Sequence, residues 1–129
     1  MAASFETFEH GADIGIRGRG KPLSEAFENG AKSMFSLLVE DFDTIRPLES
    51  VIISCESFDI EGLFVAWLNC LLAESDIQRL IFSGFKVKIQ DLGLIGTAMG
   101  EPFDSSRHQR GVEVKGATFT ELVVRQDED

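Results

Sequence analysis

The residue whose type and setting most invite chemistry is Asp13, in the segment His10-Gly11-Ala12-Asp13-Ile14-Gly15. A carboxylate there falls where a strand is expected to run, among small residues, and neither helix capping nor a charged surface run explains it. Small neighbours leave room for a ligand or for a partner backbone. A hard divalent cation takes several oxygens, so one Asp needs further carboxylates, carbonyls or waters converging on it. The structural alternative is a turn Asp bonded to local backbone.

Other arrangements carry less. Gly15-Ile16-Arg17-Gly18-Arg19-Gly20-Lys21 satisfies the first part of a phosphate-binding loop. Pro22 then stands where such a loop needs a Ser or Thr for magnesium, and it lacks the N–H that a bound phosphate requires. A glycine-rich strand-to-helix turn is the better reading. His10 and His108 are the only histidines and lie far apart, Cys55 and Cys70 form no Cys-x-x-Cys, and no zinc spacing exists. Ser36 and Ser105 lack a nucleophile elbow. The two isolated cysteines read as reduced, structural thiols of a cytoplasmic protein.

Charge narrows the partners. Twenty-two acidic against 12 basic residues give a formal net charge of −10, which opposes tight binding to a phosphate backbone. A basic protein surface or a cation held by carboxylates fits better. No run of eighteen apolar residues occurs, and the first nine residues have no secretory pattern, so neither membrane insertion nor secretion is expected.

These residues need a scaffold, and the apolar spacing supplies one. At 129 residues and 43% hydrophobic, the chain suits one domain over 1–129 with a single core, and its 11 Phe with no Tyr should mostly lie in it. Phe5, Phe8, Ile14 and Ile16 suggest two short strands. From Leu23 the period changes. Leu23, Phe27, Ala31, Met34 and Leu38 form the apolar stripe of a helix started by Pro22, with Glu25, Glu28, Lys32 and Ser36 opposite. Residues 40–48 read as a connection, and Val51 to Cys55 as a strand.

Asp59 should cap a second helix whose stripe, Ile60, Leu63, Phe64, Trp67, Leu68, Leu71 and Leu72, centres the core, with Trp67 an anchor. A polar break from Glu74 to Arg79 precedes strands at 81–89, 92–99 and 112–124. The first two of these should join through a Gln90-Asp91-Leu92-Gly93 turn, with Asp91 and Gly93 taking unusual backbone angles. The order predicts an α+β two-layer sandwich, two helices on one face of a mostly antiparallel sheet.

Six blocks in register resemble the archease family. Phe8-Glu9-His10-Gly11-Ala12-Asp13-Ile14-Gly15 is similar to its F-E-H-T-A-D-x-G opening, and Gly20-Lys21-Pro22-Leu23-Ser24-Glu25-Ala26-Phe27-Glu28-Asn29 to its first helix. Trp67-Leu68-Asn69, Phe82-Ser83-Gly84-Phe85, Gly100-Glu101-Pro102-Phe103-Asp104 with His108, and Glu113-Val114-Lys115-Gly116-Ala117-Thr118-Phe119 follow in family order. The resemblance implies a compact α+β fold and a non-enzymatic activator of RtcB-type RNA ligases in tRNA splicing and RNA repair. Such a protein promotes guanylylation of the ligase, and GTP enters only through that partner. Asp13 matches the family's metal-ligand Asp, for calcium, magnesium or manganese. Lys115 and His10 are the residues expected to serve activation.

The chain departs from the pattern at Gly11, where the family has Thr, and at Thr120, where it has His. The family continues into a last apolar strand ending in a ligand Asp, whereas this sequence ends at Arg125-Gln126-Asp127-Glu128-Asp129. Two readings follow: a shortened chain with an incomplete metal site, which is the expectation, or a divergent member in which the acidic tail substitutes, with Asp127 and Asp129 as improvised ligands. Two other classes compete: a small metal-dependent hydrolase using Asp13, and a general chaperone or RNA-binding adaptor. The shortage of nucleophiles and bases disfavours the first, and the acidity disfavours RNA binding.

Overall fold

A computed structural model describes the backbone of residues 5–10 and 13–18 and the whole of residues 22–111. Strands β1 (Phe5–His10) and β2 (Asp13–Gly18) pair antiparallel, with Phe5 opposite Gly18 and His10 opposite Asp13. Helix α1 (Leu23–Leu38) follows, opened by Pro22, whose carbonyl accepts the N–H groups of Glu25 and Ala26. A one-turn 3-10 helix at Phe42–Thr44 punctuates the connection to β3 (Glu49–Glu56). Helix α2 (Ile60–Gln78), β4 (Leu80–Gln90) and β5 (Gly93–Pro102) complete the described chain. The order β3-β5-β4 is antiparallel throughout. This is the two-layer α+β arrangement that the periodicities predict.

Alternation decides the faces. Ile53 of β3, Leu94 and Ala98 of β5, and Phe85 and Val87 of β4 point into the core, while Ile52, Ile95, Lys86 and Lys88 face outward. The helices cover the inner face with Phe27, Ala31, Met34 and Phe35 of α1 and Leu63, Trp67, Leu68 and Leu71 of α2. Phe35 meets Phe82 edge-on at 5.4 Å between centroids, and Trp67 meets Phe85 at 6.2 Å. The Trp67 indole N–H donates to the Phe27 carbonyl at 3.1 Å, so burying this ring strands no polar group. Phe58 breaks the expectation for phenylalanines, being 99% exposed just ahead of α2.

Local corrections have local causes. Asp59 caps α2 as expected, its carboxylate accepting the Gly62 N–H at 2.7 Å. The polar stretch Glu74 to Gln78 is no break. It is the last stretch of α2, exposed from Asp76 onward; the helix runs to Gln78 and is capped by Arg79 at φ 56°, whose N–H donates to the Ser75 carbonyl. Polar residues on a solvent-facing turn leave the helix ladder intact. In the β4–β5 turn Asp91 adopts φ 56°, while Gly93 is simply the first residue of β5, paired with Gln90 and Glu56. Glu28 does not only face water, because its carboxylate accepts the Val87 N–H of β4 at 2.8 Å.

Two glycines answer to close approach. A Cβ on Gly96 would lie 2.5 Å from the Trp67 ring, and one on Gly100 would lie 1.8 Å from the Ile81 carbonyl oxygen. The second contact sits where the β4–β5 register shifts between Phe82 and Gly84, a bulge that brings the β4 backbone over Gly100.

Candidate functional site

Past Gly100, the strand places Glu101 at the end of β5 with its side chain only 2% exposed. A carboxylate so buried must be paired and hydrogen-bonded. Arg46, in the connection before β3, supplies its backbone N–H to Oε2 at 2.8 Å and its guanidinium Nε and Nη2 to Oε1 at 3.1 and 3.0 Å. The loop after β5 folds back to add Arg107 Nη1 to Oε1 at 2.7 Å and His108 Nε2 to Oε2 at 3.2 Å.

His108 is orientated in turn. Its Nδ1 accepts the Asp104 backbone N–H at 2.9 Å, so the ring proton lies on Nε2 and points at Glu101. Asp104 itself accepts from the Ser106 N–H and hydroxyl, an Asx turn that holds its carboxyl below the usual range. The turn is tightened by Arg107 and His108 N–H groups donating to the Asp104 carbonyl.

Burial pushes the Glu101 carboxyl up, but the Arg46, His108 and Arg107 hydrogen bonds outweigh it and bring the pKa down to about 2. Chemically, this carboxylate is saturated. Three donors on Oε1 and two on Oε2 leave no room for a cation or for proton transfer to a substrate. Its work is to join chain segments. Among the described residues no three His, Cys, Asp or Glu side chains gather where a metal ion could be held.

The sequence-predicted residues fall differently. His10 and Asp13 are register partners, one at the end of β1 and the other at the start of β2, so the backbone sets them side by side at the hairpin turn. Lys115, Asp127 and Asp129 lie outside the described residues, as do the expected strand at 112–124 and the glycine-rich turn at 19–21. Cys55 and Cys70 are free and half-buried, and burial, then the neighbouring Cys70, push the Cys55 thiol up to about 11. At neutral pH that group is therefore held as the protonated thiol.

The Glu101 cluster is what residue spacing alone does not disclose. Glu101 and His108 both stand in the Gly100-to-His108 block, but nothing in the sequence pairs Glu101 with Arg46, 55 positions earlier. The available signal was an acidic residue extending a strand pattern beyond its predicted end.

With a two-layer α+β fold and this clasp described, comparison with known proteins places the chain. The family model for the archease protein family (MTH1598/TM1083) matches residues 5–129. The chain is 40% identical to protein archease of Sulfurisphaera tokodaii over 122 residues, which cover 93% of this chain and 87% of that protein. It is 39% identical to protein archease of Pyrococcus furiosus with the same two coverages. The solution structure of Methanobacterium thermoautotrophicum Protein 1598 superposes with a TM-score of 0.77 at 40% identity, over 90% of this chain and 84% of that one. The chain belongs to the archease family.

Proposed function

We propose that this protein is a non-enzymatic activator that promotes guanylylation and turnover of an RtcB-type RNA ligase in tRNA splicing and RNA repair, acting in the cytoplasm. The observation that carries the reading is the family match along residues 5–129.

In this account Asp13 contributes to a divalent-metal site for calcium, magnesium or manganese at the turn of the β1–β2 hairpin. Its register partner His10 and the later Lys115 meet the ligase. One carboxylate does not make a hard-cation site, so the remaining oxygens come from Asp127, Asp129, water or the ligase itself. Lys115 suits pairing with a phosphate or a partner carboxylate. GTP is bound by the ligase. With a net charge of −10, recognition of RNA is left to the ligase as well.

The test is ligase guanylylation in the presence of wild type, Asp13→Ala and Lys115→Ala. Each variant is expected to lose at least ~10-fold of the stimulation. Calorimetric titration with calcium and with manganese should show weaker binding to Asp13→Ala, and equal affinity would remove Asp13 from the ligand set.

A further inference from the structure

We infer that the outer face of the β3-β5-β4 sheet is a self-association surface whose partner is a second copy of this chain. The helices cover the inner face, while the outer one exposes Ile52 at 74% and Ile95 at 59%. Ile52 stands opposite Thr97, and Ile95 lies two residues before Thr97 on the same strand. Diagonal neighbours on one sheet face lie within reach of each other, so the two isoleucines make one apolar patch. Leu48, just ahead of β3, adds a third exposed apolar side chain at 62%. Contiguous apolar surface of this kind marks a contact site, where singly scattered residues would not.

Charge identifies the partner. Lys86 stands opposite Thr97 and Lys88 opposite Ile95, both exposed, so β4 lines one margin of the patch with two cations and carries no acid. The other margin is β3, which carries no cation. Its Glu56 points outward by the same alternation as Ile52, and Glu49 is exposed at its opposite end. The face is therefore basic along one side, apolar down the middle and acidic along the other. A two-fold axis parallel to the strands and over β5 lays β4 of one copy on β3 of the other and brings the two copies of Ile95 together. Lysines and glutamates then meet twice in one closed interface. Sheets so related pack aligned and about 10 Å apart, a gap that lysine and glutamate side chains reaching from opposite sides can bridge. A partner surface of uniform charge would leave one margin unmatched.

Size sets the strength. Three strands about 4.8 Å apart and about eight residues long span roughly 400 Å² on each copy. Standard interfaces bury about 800 Å² per partner, so this dimer is weak and concentration-dependent, with a Kd on the order of 100 µM. Its exposed ion pairs add little affinity and mainly fix which way the copies face. A net charge of −10 works against self-association in general, and this face is where opposite charges on two copies can meet.

The test is sedimentation equilibrium of the full chain from about 10 µM to about 1 mM, over which the average mass should rise from 14.2 kDa toward twice that value. Ile52→Thr with Ile95→Thr keeps β-branched residues in the strands while trimming the patch, and should weaken the dimer about tenfold or more. Ile77→Thr alters an isoleucine exposed to a similar degree on α2, in the other layer, and should leave the affinity within about twofold. Lys86→Glu with Lys88→Glu, and Glu49→Lys with Glu56→Lys, should each weaken self-association about tenfold. An equimolar mixture of those two variants should return to within about threefold of wild-type affinity, because the reversed β4 of one faces the reversed β3 of the other and the second half of the interface is native. Wild type that stays at monomer mass up to about 1 mM overturns the proposal, as does a dimer indifferent to the isoleucines or a mixture no tighter than its components. If the threonine variant does not fold, the charge-reversal mixture decides alone.

Discussion

Glu101 and Asp13 are both acids set among strand residues, yet their surroundings give them different work. Glu101 is enclosed by Arg46, Arg107 and His108, with Asp104 one hydrogen bond further out. Its folded pKa of about 2 lies below the ordinary value of 4.5. A depressed carboxylate contributes stability that is whole above its unfolded pKa and lost as pH falls through the folded one. Acid titration of the wild type should therefore show a loss of stability from about pH 4.5 down to about 2 that is absent in Glu101→Gln. At neutral pH the same variant should unfold in urea with roughly 3 kcal/mol less stability. A variant with wild-type stability and an unchanged acid limb would show that the clasp is energetically idle. Asp13 stood out by its residue type and neighbours alone. The Glu101 clasp did not, because a contact between Arg46 and Glu101 leaves no trace in any local period.

At the scale of elements, the helices were legible because apolar residues recur every three or four positions over many turns, as in Phe27, Ala31 and Met34 or Leu63, Trp67 and Leu71. The strands were legible where one face is wet, as in Phe85-Lys86-Val87-Lys88. Ends were harder. The last turn of α2 is polar because it is exposed, and a polar run reads the same way whether helix or loop. The tight fit around Gly96 and Gly100 was also hidden, since it depends on which residues the register sets opposite them. Gly96→Ala should press on Trp67 and cost about 1–3 kcal/mol. Gly100→Ala should cost more, because its obstacle is the Ile81 backbone and not a side chain that can turn away. Thermal denaturation of the two variants checks the order, and equal or reversed losses would contradict the bulge account.

Across the whole molecule, the fold class and the family were readable from the sequence because matching blocks run from the first strand to residues beyond the described chain. No helix among the described residues is long and apolar enough to cross a membrane. The acidic surface makes its own prediction: at physiological salt, a gel-shift titration with tRNA should give no affinity tighter than the weak end of non-specific binding, about 100 µM. Submicromolar binding would make the protein an RNA-binding adaptor. The most direct measurement is the rate at which an RtcB-type ligase becomes guanylylated with and without this protein, at fixed GTP and metal. Substoichiometric protein should raise that rate and the number of ligase turnovers. An unchanged rate across a saturating range of folded protein would contradict it.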